Sequence, residues 1–360
     1  LGFMTILCIV FIVSNRQIGL RNRMLIAQTM GTESLEGIVK LAKHVLHITG
    51  IIELLGAIVL SIRFVPKYGF FKGMWFSIFH SVSAFCNAGF DIIGDGKSML
   101  SYRHDPLVLC TLAILVAIGG LGFIVWEDII AKKSWKKLNV YSKVIILAQI
   151  FFIVVGTFVY FILEYGNINT IGAESVGQKI LASFFQSVTT RTAGFNTADL
   201  SGMTGASQAI MIVLMMIGGA PGSTAGGMKI TTFAVLTANA SATFRQREDT
   251  QMFGRRVGQE VLKNASTILM MYLFLVLMGG MVISVAENLP ISDCLFETAS
   301  AVGTVGLTLG ITPQLGVLSK GILIALMFLG RVGGLTLVYA AMPGRKSAHA
   351  KMPLEKINVG

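Results

Sequence analysis

The chain has 360 residues, of which 54% are hydrophobic and only 13% charged, and its formal net charge is +11. Soluble domains carry roughly 25% charged residues, so the composition argues against a soluble protein and favours one helical membrane domain. The basic residues cluster in short loops between apolar runs, so the positive charge is better explained by membrane orientation than by a nucleic-acid partner.

The predicted elements are all helical. Uncharged runs such as Val144–Leu163 and Ala265–Ala286 reach the roughly 20 residues that a bilayer crossing needs. The chain opens with the end of a span, residues 1–13. Further spans are predicted near 44–63, 104–130, 143–164, 204–240, 264–286 and 316–341, and short pore helices near 72–85, 178–190 and 291–302.

Basic and acidic loops alternate along the chain. Residues 14–43, 131–143, 244–263 and the C-terminal tail together hold 19 of the 29 Lys and Arg residues. By the positive-inside rule these loops and the C-terminus are cytoplasmic. We therefore predict a multi-pass protein of the plasma membrane.

Three segments of the chain align with one another around Gly89, Gly194 and Gly306, which are 105 and 112 residues apart. Each segment follows one predicted span and precedes another, and its length of about 15 residues is too short to cross a bilayer. The pattern predicts a re-entrant element, in which a short helix enters the membrane and an extended strand returns.

The beginning of the chain matches a later part of it. Leu1-Gly-Phe3 has the sequence of Leu121-Gly-Phe123, in a glycine-rich second span. We therefore expect the chain to start midway through a first unit whose re-entrant loop lies upstream; the alternative is a lone, unrelated helix. The expected division is an incomplete first unit with its cytoplasmic loop (1–43), a second unit (44–141), a third (142–260), and a fourth with the tail (261–360).

The aligned glycines predict a selectivity filter. Non-helical backbone at membrane depth is tolerated only where protein buries it or a watery cavity adjoins it. Glycine lets carbonyls turn inward, and a ring of carbonyls can replace the hydration shell of K⁺. The alternative is that these glycines only pack helices. The predicted filter residues are Asn87, Ala88, Gly89, Phe90, Thr192, Ala193, Gly194, Phe195, Thr304, Val305, Gly306 and Leu307.

These motifs resemble the Trk/Ktr/HKT superfamily of potassium transporters, and the bacterial Ktr-type membrane subunit most closely. The resemblance rests on Phe85-Cys-Asn-Ala-Gly-Phe90, on residues 185–197, on Thr304-Val-Gly-Leu-Thr308 and on Phe328-Leu-Gly-Arg-Val-Gly-Gly334, and it covers essentially the whole chain. It implies an all-α integral membrane fold with pseudo-fourfold helix–pore-loop–helix repeats around a central pore. The chief departure from that family is the first loop, which we expect upstream of this sequence. In that family it bears on sodium versus potassium preference, so the resemblance leaves the ion preference open.

A glycine-rich stretch and one deep arginine form the predicted gate. Residues 218–227 would break a continuous helix because proline and clustered glycines do so, and the resemblance implies an intramembrane gating loop; the alternative is a static kink. Arg331 lies in an apolar span, where a charge usually faces a cavity, and the resemblance puts it in the pore. The predicted gate residues are Gly218, Gly219, Pro221, Gly222, Ser223, Thr224, Gly226, Gly227 and Arg331.

Five other charged residues lie in or near the predicted pathway, outside the filter and gate sets. Glu53 is expected to be structural, Arg191 to brace its loop, and Lys229 to lie near the cytoplasmic mouth. Asp91 and Asp199 lie just outside the predicted filter, where they either concentrate cations or are ordinary solvated acids.

The predicted function is uptake of K⁺, with or without a dependence on Na⁺. No cofactor is predicted, and no catalytic motif or histidine cluster indicates an enzyme. The alternatives are a secondary transporter with broken helices and a non-conducting fragment. The resemblance implies a homodimer and a cytoplasmic RCK-type nucleotide-binding regulatory subunit, with the lipid bilayer as surroundings.

Overall fold

The computed structural model describes residues 38–94 and 98–333. The predicted span at 1–13, the Leu1-Gly-Phe3 match, the C-terminal tail and the end of the last predicted span lie outside these residues. By length and composition, three helices of the described chain can cross a membrane, and a bent pair brings the number to as many as four.

The predicted second unit contains α1 (Ile38–Tyr68), α2 (Phe70–Phe85), α3 (Pro106–Gly119) and α4 (Phe123–Lys132). Helix α1 ends at Gly69, whose positive φ of 82° turns the chain into α2. Asp105 caps the start of α3, because its carboxylate accepts hydrogen bonds from the N–H groups of Leu107 and Val108.

The span predicted near 104–130 is bent in the structure. Helices α3 and α4 meet at a bend of 91°. Gly122 has a φ of 87°, which an L side chain rarely adopts. The uncharged run of the sequence therefore divides into two helices at its glycines.

The predicted third unit contains α5 (Val140–Glu164), α6 (Val176–Thr189), α7 (Gly205–Met216) and α8 (Ile230–Phe244). Helices α7 and α8 are separated by residues 217–229, so the predicted break is longer than a kink. A two-stranded antiparallel hairpin, β1 (Gln251–Met252) and β2 (Arg255–Arg256), follows α8 and was not predicted.

The predicted fourth unit contains α9 (Gln259–Glu287), α10 (Ile291–Gly303) and α11 (Val317–Val332). The short helices α2, α6 and α10 occupy the positions predicted for pore helices. Each packs against the long helix that precedes it, and the aromatic rings of Phe85, Phe185 and Phe296 on them are fully buried.

Carboxylates fasten the ends of the long helices to the helices that return. Glu164, at the end of α5, accepts hydrogen bonds from the Thr204 backbone N–H at 3.0 Å and the Thr204 hydroxyl at 2.8 Å. Glu287, at the end of α9, accepts from the Gly316 N–H at 2.8 Å and the Ser319 hydroxyl at 2.5 Å. In each case the acceptor satisfies groups at the free N-terminus of the returning helix, α7 or α11.

Candidate cation pathway

The three aligned glycine segments lie side by side. A Cβ added to Gly89 would overlap the carbonyl oxygen of Ala193 and lie 2.9 Å from the Gly194 Cα. A Cβ added to Gly194 would overlap the carbonyl oxygen of Val305, and one on Gly306 would lie 3.9 Å from the Gly194 Cα. Only glycine permits this approach, in which two carbonyl oxygens lie against the α-carbons of a neighbouring segment.

The three segments share one backbone pattern. Gly89, Gly194 and Gly306 have φ values of 68°, 80° and 90°. The residue two positions earlier is also left-handed in each case: φ is 50° at Asn87, 63° at Thr192 and 53° at Thr304. Non-glycine residues rarely adopt this conformation, so its recurrence at three equivalent positions indicates a common task.

Hydrogen bonds to the ends of α2, α6 and α10 hold this pattern. The N–H groups of Ala88, Ala193 and Val305 donate to carbonyl oxygens in the last turn of α2, α6 and α10, at 2.9, 3.1 and 2.8 Å. A hydroxyl in each of those turns also binds the backbone of the segment that follows. The pairs are Ser83 with the Phe90 carbonyl (2.8 Å), Thr189 with the Phe195 carbonyl (2.7 Å) and Ser300 with the Gly306 N–H (3.1 Å).

Side chains after the glycines differ in exposure. Phe195 and Leu307 are buried, whereas Phe90 is 69% exposed. The Asp199 carboxylate accepts hydrogen bonds from the backbone and hydroxyl of Ser201 at 3.0 and 2.6 Å, so it caps a local turn.

Residues 217–229 form a closed, non-helical loop, which we call the gate loop. Its ends are joined by hydrogen bonds from the Gly218 N–H to the Met228 carbonyl at 2.8 Å and from the Ile230 N–H to the Gly219 carbonyl at 3.0 Å. Within it Gly222 and Gly227 both have a φ of 66°. Proline and glycine thus give a compact turn whose two ends are hydrogen-bonded to each other.

The gate loop docks on the bend between α3 and α4. The Ala220 N–H donates to the Gly120 carbonyl at 3.0 Å, and the Phe123 N–H donates to the Gly222 carbonyl at 3.1 Å. The bend therefore exposes peptide groups that a straight helix would have used internally, and the gate loop satisfies them.

The gate loop also contacts the filter segments. The Thr224 hydroxyl lies 3.1 Å from the Asn87 Oδ1 and 3.1 Å from the Phe85 carbonyl oxygen. A Cβ on Gly226 would overlap the hydroxyl of Thr304 and lie 2.9 Å from its Cβ. The predicted gate and two of the predicted filter segments are thus in direct contact.

Three cationic side chains bind carbonyl oxygens of the gate loop. Arg191 Nη2 lies 2.8 Å from the Gly218 oxygen, Arg331 Nη1 lies 2.6 Å from the Thr224 oxygen, and Lys229 Nζ lies 2.8 Å from the Ala225 oxygen. Lys229 therefore turns back onto the loop, and its position near the cytoplasmic mouth stays a prediction. Among the residues that the structure describes, no carboxylate lies within ion-pair distance of these three groups.

Arg191 is almost wholly enclosed, with 4% of its surface exposed. Its guanidinium carbon lies 5.3 Å from the centre of the Phe152 ring. Nε and Nη1 are buried without a protein partner. This geometry supports the predicted bracing role, because the side chain joins the segment that contains Gly194 to the gate loop.

Glu297 was missed by the sequence reasoning. It lies in α10 and is 5% exposed. Its carboxylate accepts hydrogen bonds from the Thr308 hydroxyl, from the Thr312 hydroxyl at 2.8 Å and from the Leu309 N–H at 3.3 Å. An acidic residue inside a short apolar helix is the signal that could have identified it. Glu53, in contrast, has one weak side-chain contact, 3.9 Å from the Cys86 sulfur.

Comparisons with known proteins identify the family of the chain. Residues 1–350 match the model of the TrkH family, described as a cation transport protein. The chain is 38% identical over 366 residues to the potassium/sodium uptake protein NtpJ of Enterococcus hirae, covering 100% of this chain and 80% of that protein. It is 37% identical over 340 residues to the Ktr system potassium uptake protein B of Bacillus subtilis, covering 94% and 76%.

The fold has a counterpart among solved structures. The crystal structure of the potassium transporter TrkH from Vibrio parahaemolyticus superposes with a TM-score of 0.72 and 20% identity, over 89% of this chain and 68% of that one. These relatives are all transport proteins. They confirm the predicted family resemblance, the predicted helical membrane fold and the prediction of a transporter, not an enzyme. The chain is therefore a multi-pass membrane protein that belongs to the TrkH family of cation transport proteins.

Proposed function

We propose that the chain forms the pore of a potassium uptake system, in which carbonyl oxygens of the three glycine segments bind dehydrated K⁺. The observation that carries this proposal is the left-handed pattern at Asn87/Gly89, Thr192/Gly194 and Thr304/Gly306 in segments that adjoin one another. A carbonyl environment of this kind replaces the water around a potassium ion.

In this proposal the gate loop is the barrier. The loop contacts the filter segments and carries three cationic donors, Arg191, Lys229 and Arg331. A fixed positive charge in a medium of low dielectric opposes the passage of a cation, so the described arrangement corresponds to a closed pathway. Opening requires the loop to move away from Thr304 and Asn87.

Ion preference is proposed from the relatives. The two described above are named for potassium uptake, and one of them for potassium and sodium uptake. We propose K⁺ as the transported ion, with Na⁺ as a second, less favoured or co-required ion. No cofactor is part of the proposal.

The partners are also proposed. The relative from Bacillus subtilis is named as part of a Ktr system, which implies more than one component. We propose a homodimer of this chain with a cytoplasmic RCK-type nucleotide-binding ring. The basic segments 131–143 and 244–263, the second of which includes the β1–β2 hairpin, are the proposed docking sites and make that side cytoplasmic.

The test is uptake of radioactive rubidium into proteoliposomes that contain the purified protein. We expect time-dependent uptake that K⁺ competes away more strongly than Na⁺. Gly194→Ala places a Cβ on the Val305 oxygen and is expected to abolish uptake. Gly321→Ala, at a position with open space around it, is the matched control and should leave uptake unchanged.

A secondary transporter is the second candidate, because two of the spans are broken, at residues 120–122 and 217–229. Flux that saturates and needs a fixed ratio of a second ion would favour it. Folded wild-type protein that moves no cation would favour the third reading, a non-conducting fragment.

A further inference from the structure

Asn87 belongs to a filter segment, yet its side chain contacts other parts of the molecule. The side chain is buried, with 8% of the residue exposed. Its Nδ2 lies 3.3 Å from the Arg191 carbonyl oxygen and 3.2 Å from the Thr192 hydroxyl. Its Oδ1 lies 3.1 Å from the Thr224 hydroxyl in the gate loop. One amide thus joins two filter segments to the gate.

The orientation of this amide follows from its partners. A backbone carbonyl accepts hydrogen bonds but cannot donate, so the group that faces the Arg191 oxygen must be the NH₂. Oδ1 then faces Thr224 and needs a donor. The Thr224 hydroxyl has a single proton, for which the Phe85 and Gly119 carbonyl oxygens also lie within 3.1 and 3.0 Å.

The space around this contact is closed. A Cβ added to Gly119 would lie 3.0 Å from both the Asn87 Oδ1 and the Thr224 Oγ1. With the loop docked, the Thr224 hydroxyl is therefore the group in contact with the Asn87 oxygen. When the gate loop leaves, the Asn87 oxygen loses the hydroxyl that faces it in the described structure.

Asn87 and Thr192 are both held in left-handed conformations, with φ values of 50° and 63°. Such conformations persist only when their surroundings over-determine them. Each lies two residues before a filter glycine. A change in the hydrogen bonds of the Asn87 amide therefore acts on the segments that carry Gly89 and Gly194.

We propose that Asn87 is a specificity-determining positioning residue, which couples the gate loop to the filter through its hydrogen bond with Thr224. This inference rests on the proposed cation pathway and extends it. Thr224 is fixed from the other side by Arg331, which binds its carbonyl oxygen. Discrimination between ions that bind the filter segments of the closed protein is therefore highest with the loop docked and falls when the loop is released.

The test compares gate-loop variants that do not alter the filter sequence. Thr224→Val keeps the volume of the side chain but removes the donor, and Thr224→Ser keeps the donor. Ser223→Ala is the control, because the Ser223 hydroxyl binds the Ala220 carbonyl within the loop at 2.6 Å. The ratio of rubidium to sodium uptake is measured in proteoliposomes. Rubidium-induced and sodium-induced thermal stabilisation is measured in detergent.

We expect Thr224→Val to lower the rubidium preference in the stabilisation assay, which reports ion binding to the closed protein, by about three- to tenfold, the range that the loss of one buried hydrogen bond corresponds to. Thr224→Ser should retain the preference, and Ser223→Ala should change both ion fluxes by the same factor. In an Asn87→Thr background the effect of Thr224→Val should disappear, because the amide that transmits it is gone.

An unchanged rubidium preference of Thr224→Val in the stabilisation assay would overturn the coupling. So would the same Thr224→Val effect in the Asn87→Thr background. If the wild type moves no cation, the proposed transport fails, and the stabilisation assay alone then decides whether Thr224 alters ion preference through Asn87.

Discussion

The Nη1 atom of Arg331 lies 2.6 Å from the carbonyl oxygen of Thr224, a link between α11 and the gate loop across 107 residues of sequence. Hydrogen bonds to charged groups contribute roughly 1.5–3 kcal/mol. The link is therefore strong enough to bias the position of the gate loop, and the arginine also adds a fixed positive charge there.

Arg331→Ala is expected to raise rubidium uptake by about tenfold or more, since both the hydrogen bond and the charge are lost. Arg331→Lys keeps the charge but not the planar, multiply donating guanidinium, so an intermediate rate is expected. Initial uptake rates at matched protein density provide the measurement. Unchanged rates in Arg331→Ala would rule out its barrier role.

Substitution of Arg191 distinguishes a role in the stability of the fold from a role in holding the gate loop. Its buried charge has no carboxylate partner among the described residues, and two of its nitrogens are unpartnered. Replacing a poorly compensated buried charge with an apolar residue is often neutral or stabilising. We expect Arg191→Met to unfold within a few degrees of the wild type, while uptake rises because the Gly218 carbonyl is released.

Unfolding temperature in detergent and rubidium uptake test this together. A large drop in unfolding temperature with no rise in uptake would show that Arg191 only supports the fold. Phe152→Leu, which removes the ring beneath the guanidinium, is the companion variant and should raise uptake less than Arg191→Met does.

Glu297 is expected to set the geometry of the fourth-unit filter segment. Its carboxylate gathers the Thr308 hydroxyl, the Leu309 N–H and the Thr312 hydroxyl. Glu297→Ala leaves these groups without an acceptor and should reduce ion discrimination strongly. Glu297→Gln retains one carbonyl oxygen and should reduce it less. Competition of sodium with rubidium uptake is the measurement, and equal effects of Gln and Ala would contradict the hydrogen-bonding role.

Gly226 tests the contact between gate loop and filter. An added Cβ would collide with Thr304, so Gly226→Ala should displace the loop and change uptake severalfold. Gly321→Ala is the matched control: it lies in α11 with nothing within 4 Å and should stabilise the helix by about 0.5–1 kcal/mol. A Gly226→Ala protein with wild-type uptake and selectivity would mean that the loop does not rest on Thr304 in the membrane.

The sequence was sufficient to predict three equivalent segments because the same short pattern occurs three times, at Gly89, Gly194 and Gly306, and the structure gives all three one backbone conformation. Pro221 and its flanking glycines likewise predicted an irregular segment, since both residue types break helices wherever they occur. The predicted bounds of α2, α6 and α10 lie within two residues of those in the structure.

Features that depend on distant partners could not be predicted. The bend at residues 120–122 lies in an uncharged run, and its exposed peptide groups are satisfied only by the gate loop, about 100 residues later. The roles of Asn87 and Glu297 are set by tertiary contacts of their side chains. The hairpin at Gln251–Arg256 is short and polar, and it lacks the alternating pattern that identifies longer strands.

The carboxylate fastenings at Glu164 and Glu287 have a mechanical consequence. They clamp the ends of α5 and α9 to the starts of their returning helices, whereas the returning span of the third unit is interrupted by the glycine-rich gate loop. Movement of the gate loop therefore need not disturb these helix ends. In a variant that releases the loop, such as Arg331→Ala, amide hydrogen exchange near Thr204 and Gly316 should stay slow, while exchange at Gly218 and Ala220, whose hydrogen bonds hold the loop in place, should become faster.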